Sequence, residues 1–198
     1  MGSEVLYASL LILAVLGFGN LVLTLAIVRR VNRGGSEPSS TQLRGLEPGE
    51  TAPDFTAQKL DGSNVTLADL SHRRTVMLFV SPGCKPCEES LPEYLRLSVI
   101  ARDQGEELVL VSGGDHDPTR EMIGKAANAI TVIVAPRETH KLFADYRADV
   151  TPLFTVIENG HVFSSGMPWN TIQEWRDVLS RWSADSPPIE ARPVVSHG

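Results

Sequence analysis

Apolar and polar positions divide the chain into stretches of different character. From Val5 to Val28 no residue is charged, and Leu, Val, Ile and Ala dominate. An apolar run of this length spans a bilayer as a single helix. Glu4 precedes the run and Arg29-Arg30 follow it, whereas a cleavable signal peptide begins with basic residues and has a shorter apolar core. An uncleaved transmembrane anchor over residues 5–28 is therefore expected. The competing assignment, a buried core helix, would require a long soluble helix with no polar face. Asn20 and Thr24, the clearly polar side chains within the run, are expected to bond inside the helix. Residues 29–45, with Gly34-Gly35-Ser36-Glu37-Pro38-Ser39-Ser40, have the small and polar composition of a flexible linker. Residues 183–198, with Pro187-Pro188 and Pro193, lack apolar periodicity and are read as a disordered tail. The folded domain is then expected over residues 46–182.

Inside that domain the pattern alternates between strand and helix. Asp54–Lys59 and Ser63–Thr66 flank Leu60-Asp61-Gly62, which predicts a hairpin. Thr75–Val80 is a continuous apolar run, as in a strand covered on both faces, and it ends at Ser81-Pro82-Gly83. Leu91, Leu95 and Val99 then recur at helical spacing, predicting a helix from Cys84 to about Arg102 with Glu88 and Glu89 in its first turn. Further strands are expected at Leu108–Val111 and Ile130–Val134, with a helix over Pro118–Ala127 between them. A short helix is expected over Pro136–Tyr146. Leu153–Ile157 and His161–Ser164 form a second hairpin signal around Glu158-Asn159-Gly160. Ile172, Trp175, Val178, Leu179 and Trp182 share one face of a final helix. The alternation indicates an α/β domain, and no internal repeat is present.

Composition narrows the function. The chain has 198 residues, 42% hydrophobic and 21% charged, enough for one domain with its own core. Its formal net charge of -6, with no Lys/Arg-rich face, argues against a nucleic-acid partner. The two cysteines are too few for a disulfide-stapled scaffold, and they are adjacent in the pattern Cys84-Lys85-Pro86-Cys87.

That pattern falls where a strand hands over to a helix, and the placement has chemical consequences. The nucleophile in thiol exchange is the thiolate. At a helix start, unpaired amides and the positive end of the helix dipole favour it. Cys84 is thus placed to attack, Lys85 adds a nearby positive charge, and Pro86 suits the first turn because its missing N–H costs nothing there. Cys87, one turn on, is placed to resolve a mixed disulfide. A zinc half-site is a poor alternative, since tetrahedral zinc needs four ligands. No second cysteine pair exists, and His72, His116, His140, His161 and His197 are scattered. No metal or other cofactor is expected. A purely structural disulfide would leave the strand-to-helix placement without purpose.

These motifs also resemble a known family. Gly49-x-x-Ala52-Pro53-Asp54-Phe55, Leu60-Asp61-Gly62, Phe79-Val80-Ser81-Pro82-Gly83-Cys84-Lys85-Pro86-Cys87 and Val150-Thr151-Pro152 are similar to the TlpA/ResA branch of the thioredoxin superfamily. The Ser-Pro-x-Cys and the anchor are similar to MauD-like proteins. The resemblance covers about residues 46–182. It implies a thioredoxin-like fold: a central mixed sheet flanked by helices, with an N-terminal β-hairpin and a central insertion. It also implies disulfide exchange with protein thiols or disulfides and with a redox partner. Pro152 matches the family's cis-proline, which would present the backbone of Thr151 toward the dithiol, where an extended substrate segment can pair with it. Pro92 matches the proline that kinks the active-site helix. The chain departs from the family at three positions. Leu78 stands where many thioredoxins carry a buried acid, Gly83 where Trp is usual, and Ser90 where ResA-like proteins carry a glutamate. Proton transfer is thereby left unassigned, and Glu88 and Glu89 are read as solvated first-turn acids.

Two other readings use the same thiols. The Ala-Pro-Asp-Phe opening is shared with peroxiredoxin-like thiol peroxidases, and Ser81 fits their hydroxyl position ahead of the cysteine, but Met77 replaces the proline of their Pro-x3-Thr/Ser-x2-Cys pattern. A metal-delivery protein would need ligands beyond two sulfurs. The membrane side of the domain is argued both ways. Arg29, Arg30 and Arg33 follow the anchor and favour a cytoplasmic domain, whereas related anchored thioredoxins work outside, where disulfides persist.

Overall fold

The computed structural model describes residues 45–124 and 129–183, together with Tyr7. The expected anchor over 5–28 apart from Tyr7, the linker over 29–45 apart from Gly45, and the tail beyond Ser183 lie outside the described residues. No helix among the described residues is long and apolar enough to cross a membrane.

The first elements are strands β1 (Thr56–Lys59) and β2 (Asn64–Thr66), paired antiparallel with Thr56 opposite Thr66. Asp61 accepts hydrogen bonds from the Ser63 N–H at 2.8 Å and the Ser63 hydroxyl at 2.6 Å, which closes the turn between them. Helix α1 (Leu67–Leu70) follows directly and was not expected from periodicity, being a single turn. Its signal is local: the Thr66 hydroxyl accepts from the Asp69 N–H while the Asp69 carboxylate accepts from the Thr66 N–H, a capping box.

Strand β3 (Thr75–Val80) is buried at all six positions. It hands over to α2 (Lys85–Asp103), which contains Pro92. Strand β4 (Glu107–Ser112), helix α3 (His116–Ile123) and strand β5 (Thr131–Val134) come next. Helix α3 starts two residues before the expected Pro118, after Asp115, and residues 125–128 lie outside the description. Helix α4 is confined to Leu142–Asp145, shorter than the expected Pro136–Tyr146. The preceding residues form turns onto the Pro136 carbonyl. The His140 ring delays the helix further, because its Nδ1 accepts the Leu142 N–H at 3.1 Å while Nε2 bonds the Thr56 carbonyl at 3.0 Å.

Strands β6 (Leu153–Glu158) and β7 (His161–Gly166) form the second hairpin. Asn159 and Gly160 take φ of 53° and 76°, the left-handed pair that a tight two-residue hairpin turn requires. Helix α5 (Gln173–Arg181) ends the description with Trp175 and Val178 buried.

The seven strands form one mixed sheet in the order β2-β1-β5-β4-β3-β6-β7. β3, β4 and β5 are parallel, and β6 runs antiparallel to β3. Alternate side chains of β3 explain why the whole strand is apolar. Met77 and Phe79 join one core with Phe55, Phe143, Tyr146 and Leu153, while Val76, Leu78 and Val80 join the other with Cys87, Leu91, Phe154 and Trp175. A strand covered on both faces has no solvent side to be polar.

Four groups close one end of the sheet, where β4 begins. Glu106, 3% exposed at the start of β4, accepts from Arg74 Nη1 at 2.8 Å, Arg181 Nη2 at 2.9 Å and Trp182 Nε1 at 2.8 Å. A buried carboxylate is tolerated only with partners of this kind. The three parallel strands end at the opposite end of the sheet.

Candidate active site

Val80 ends β3, and Ser81-Pro82-Gly83 turn the chain into α2. The Cys84 N–H donates to the Ser81 carbonyl at 3.1 Å, and Gly83 takes φ of 77°, a left-handed value that costs glycine little. Cys84 is the N-cap of α2 with extended backbone, and the Cys87 N–H points at its sulfur at 3.3 Å. The expected placement of the pair at a helix start is thus observed, with Pro86 in the first turn. An amide donor aimed at Sγ, together with the helix dipole, stabilises negative charge on that atom.

The two sulfurs differ in access. Cys84 is half-buried, whereas Cys87 is 1% exposed and packs into the same core as Leu78 and Leu91. The structure holds them as a disulfide with Cα atoms 5.3 Å apart. Lys85 extends into solvent and lies 3.7 Å from Glu89. Glu88 accepts the Gly83 N–H at 3.0 Å, so this acid supports the turn before Cys84. Its role there had no sequence signal beyond its first-turn position.

Thr151 and Pro152 arrive from the far side. The Thr151-Pro152 peptide bond is cis, in line with the expectation for Pro152. The Thr151 carbonyl oxygen lies 3.5 Å from Cys84 Sγ across 67 positions of sequence. The antiparallel register makes this possible: Phe79, near the end of β3, faces Leu153, the first residue of β6. Leu78, in the position of the missing acid, is fully buried among apolar side chains.

Two residues around Ser81, in the turn that leads to Cys84, had no sequence signal. Gly113, just after β4, lacks a side chain where a Cβ would stand 3.0 Å from Ser81 Oγ, 3.0 Å from Phe143 Cζ and 3.1 Å from Arg137 Nε. Arg137 follows the end of β5, lies with its guanidinium 4.3 Å above the Phe143 ring, and donates from Nη1 to the Asp149 carbonyl at 3.4 Å. Ser81 Oγ is buried without a hydrogen-bond partner. No group of three or more His, Cys, Asp or Glu able to hold a metal occurs among the described residues.

Comparison with known proteins places this geometry. Residues 48–166 match the model of the AhpC/TSA family. The chain is 29% identical over 122 residues to the thiol-disulfide oxidoreductase ResA of Geobacillus kaustophilus, covering 62% of this chain and 70% of that protein. It is 28% identical over 113 residues to the methylamine utilization protein MauD of Paracoccus versutus, covering 55% and 56%. In fold it is similar to the thioredoxin domain of a thiol-disulfide oxidoreductase from Bacteroides vulgatus, with a TM-score of 0.59, 18% identity, and coverage of 68% of this chain and 97% of that one. With the family model matched over more than half its length and the Cys84-x-x-Cys87 pair at the head of α2, the chain belongs to the AhpC/TSA family, as a thioredoxin-like thiol-disulfide oxidoreductase of the TlpA/ResA/MauD type.

Proposed function

We propose that this chain exchanges disulfides with protein partners through Cys84 as attacking sulfur and Cys87 as resolving sulfur, from a domain tethered to the cell membrane. The observation that carries the reading is the asymmetry of the pair: Cys84 is reachable, receives an amide, and faces the Thr151 carbonyl at 3.5 Å, whereas Cys87 is sealed one turn deeper. In the reducing direction the Cys84 thiolate attacks one sulfur of a partner disulfide. A new S–S bond forms and the partner's other sulfur leaves as thiolate. Cys87, deprotonated, then attacks Cys84 Sγ, forming the intramolecular disulfide and releasing the second partner thiolate. Two electrons pass from this chain to the partner, and the reverse sequence oxidises a partner dithiol. Thr151 supports the reading as the backbone edge on which an extended partner segment pairs. Pro152 holds that edge, while Lys85 and Pro86 support the first turn.

The tether is residues 5–28, joined to the domain over 46–182 by the linker at 29–45, with 183–198 as a tail. The domain is proposed to face outward as a single-pass membrane protein, supported by the compartment in which disulfides persist. A reporter active only in the cytoplasm, fused after Trp182, is expected to stay silent; activity would place the domain inside.

The exchange roles are tested by trapping. Cys87→Ser is expected to accumulate covalent adducts with partner proteins through Cys84, Cys84→Ser to accumulate few, and both to lose turnover with a model disulfide. Equal trapping by both would refute the division of roles. Full hydrogen-peroxide turnover by Cys87→Ser with an external thiol would replace the reading with a peroxidase.

A further inference from the structure

We propose that Arg137 selects partners, by offering its guanidinium to a carboxylate flanking the partner's reacting cysteine. The inference rests on the exchange reading above. The placement follows from the sheet. Val80, Ser112 and Val134 are in register at the ends of β3, β4 and β5, so the residues after them emerge at one end of the sheet. Cys84 lies four positions past Val80 and Arg137 three past Val134. Neighbouring strands stand roughly 5 Å apart, which puts the third strand about 10 Å from the first.

Arg137 reaches back to the loop after the middle strand, β4. Its N–H donates to the Gly113 carbonyl at 3.2 Å, and its Nε stands beside Gly113 on the same point that the Ser81 hydroxyl approaches. Any side chain at Gly113 would occupy this place. On its other flank Nη1 meets the carbonyl of Asp149, two residues before Thr151. The guanidinium thus bonds the loop that leads to Thr151, and shares with Ser81, three residues before Cys84, the space that the missing side chain of Gly113 leaves open.

Its charge is held but not neutralised. A cation–π contact, with Cζ 4.3 Å from the centre of the Phe143 ring, holds the group while the residue stays exposed. No described carboxylate lies within ion-pair distance of it; Asp149 and Glu138 act on it only from farther away. Lys85, next in sequence to Cys84, is paired with Glu89. A planar cation with free N–H donors beside a backbone-pairing edge is suited to carboxylate recognition. The partner chemistry is therefore an extended segment with Asp or Glu next to its cysteine.

The test compares two synthetic peptides, each with one cysteine in a mixed disulfide with a neutral thiol, flanked on both sides by Glu in one and by Gln in the other. The reduced full chain is expected to react about fivefold faster with the Glu peptide at low salt, the difference shrinking as salt rises. In Arg137→Gln the ratio of the two rates is expected to fall to near one. In Arg137→Glu it is expected to invert. A ratio kept in Arg137→Gln, or both rates slowed equally with the ratio intact, would overturn the proposal and leave Arg137 as a support for the Asp149 loop. Absence of a preference in the unmodified chain would also overturn it. Failure of the unmodified chain to react with either peptide, or with a small neutral disulfide, would instead refute the exchange reading on which it rests.

Discussion

Cys84 Sγ and the Thr151 carbonyl oxygen stand 3.5 Å apart although 67 positions separate them in sequence. One atom is the sulfur at the head of the long helix, and the other is a backbone acceptor two residues before β6 begins. Under the proposed function their approach joins the attacking sulfur to the backbone edge offered to a partner. Proline restricts its own φ and the conformation of the residue before it, so Pro152 limits how the Thr151 carbonyl can turn. Pro152→Ala is expected to slow exchange with a protein disulfide on the order of tenfold or more, since small misplacements of reacting groups are costly. Its urea midpoint should change much less. A midpoint that falls sharply while exchange by the folded protein is preserved would contradict this.

The reduced sulfurs should differ in reactivity. Cys84 is half-buried and receives the Cys87 N–H, whereas Cys87 is 1% exposed. Thiolate character and access together set alkylation rates. Mass spectrometry after brief treatment of the reduced chain with iodoacetamide at neutral pH is expected to find the label on Cys84 well before Cys87. Equal labelling would show that burial of Cys87 is lost on reduction.

Glu106 provides a stability prediction remote from the dithiol. It binds Arg74, Arg181 and Trp182 at the end of the sheet where β4 begins. Glu106→Ala leaves the 8%-exposed Arg74 without its short ion pair and should cost about 3–5 kcal/mol. Denaturant unfolding should show this as a lower midpoint. Exchange by the protein that remains folded should stay near the original rate, because the network touches neither active-site loop.

Tyr146 gives the fold an alkaline limit. It is fully buried, donates its hydroxyl to the Pro53 carbonyl at 2.9 Å, and has its pKa raised, chiefly by burial and also by Asp54 and Asp145. A raised folded pKa means that the neutral phenol stabilises the fold at pH values below the unfolded value of about 10, and that this contribution is lost as pH rises above it. Tyr94, whose pKa burial also raises, contributes with the same sign. Tyr146→Phe is expected to cost about 1 kcal/mol at neutral pH, through the lost hydrogen bond. It should also flatten the fall of stability above pH 10. An unchanged alkaline slope would remove Tyr146 from this role.

Much of the fold and the core of the site were legible in sequence because they are local. The apolar run Thr75–Val80 could only be a strand covered on both faces, Asn159-Gly160 carries its own turn geometry, and Cys84-x-x-Cys87 at the end of that strand set the chemistry. The family motif added Pro152. One-turn α1 escaped because a single turn has no period to read, and α4 proved shorter than its pattern because the distant Thr56 carbonyl engages His140. The rest depended on strand order. The strand order β5-β4-β3-β6 brings Arg137 and Ser81 to either side of Gly113 and sets Thr151 against Cys84. Such contacts arise between residues whose own neighbours in sequence say nothing about them, and the free energy that fixes them is the burial of two sheet faces as a whole. Sequence alone thus singled out the two sulfurs as the candidate reacting atoms, whereas the tertiary structure decided what surrounds them.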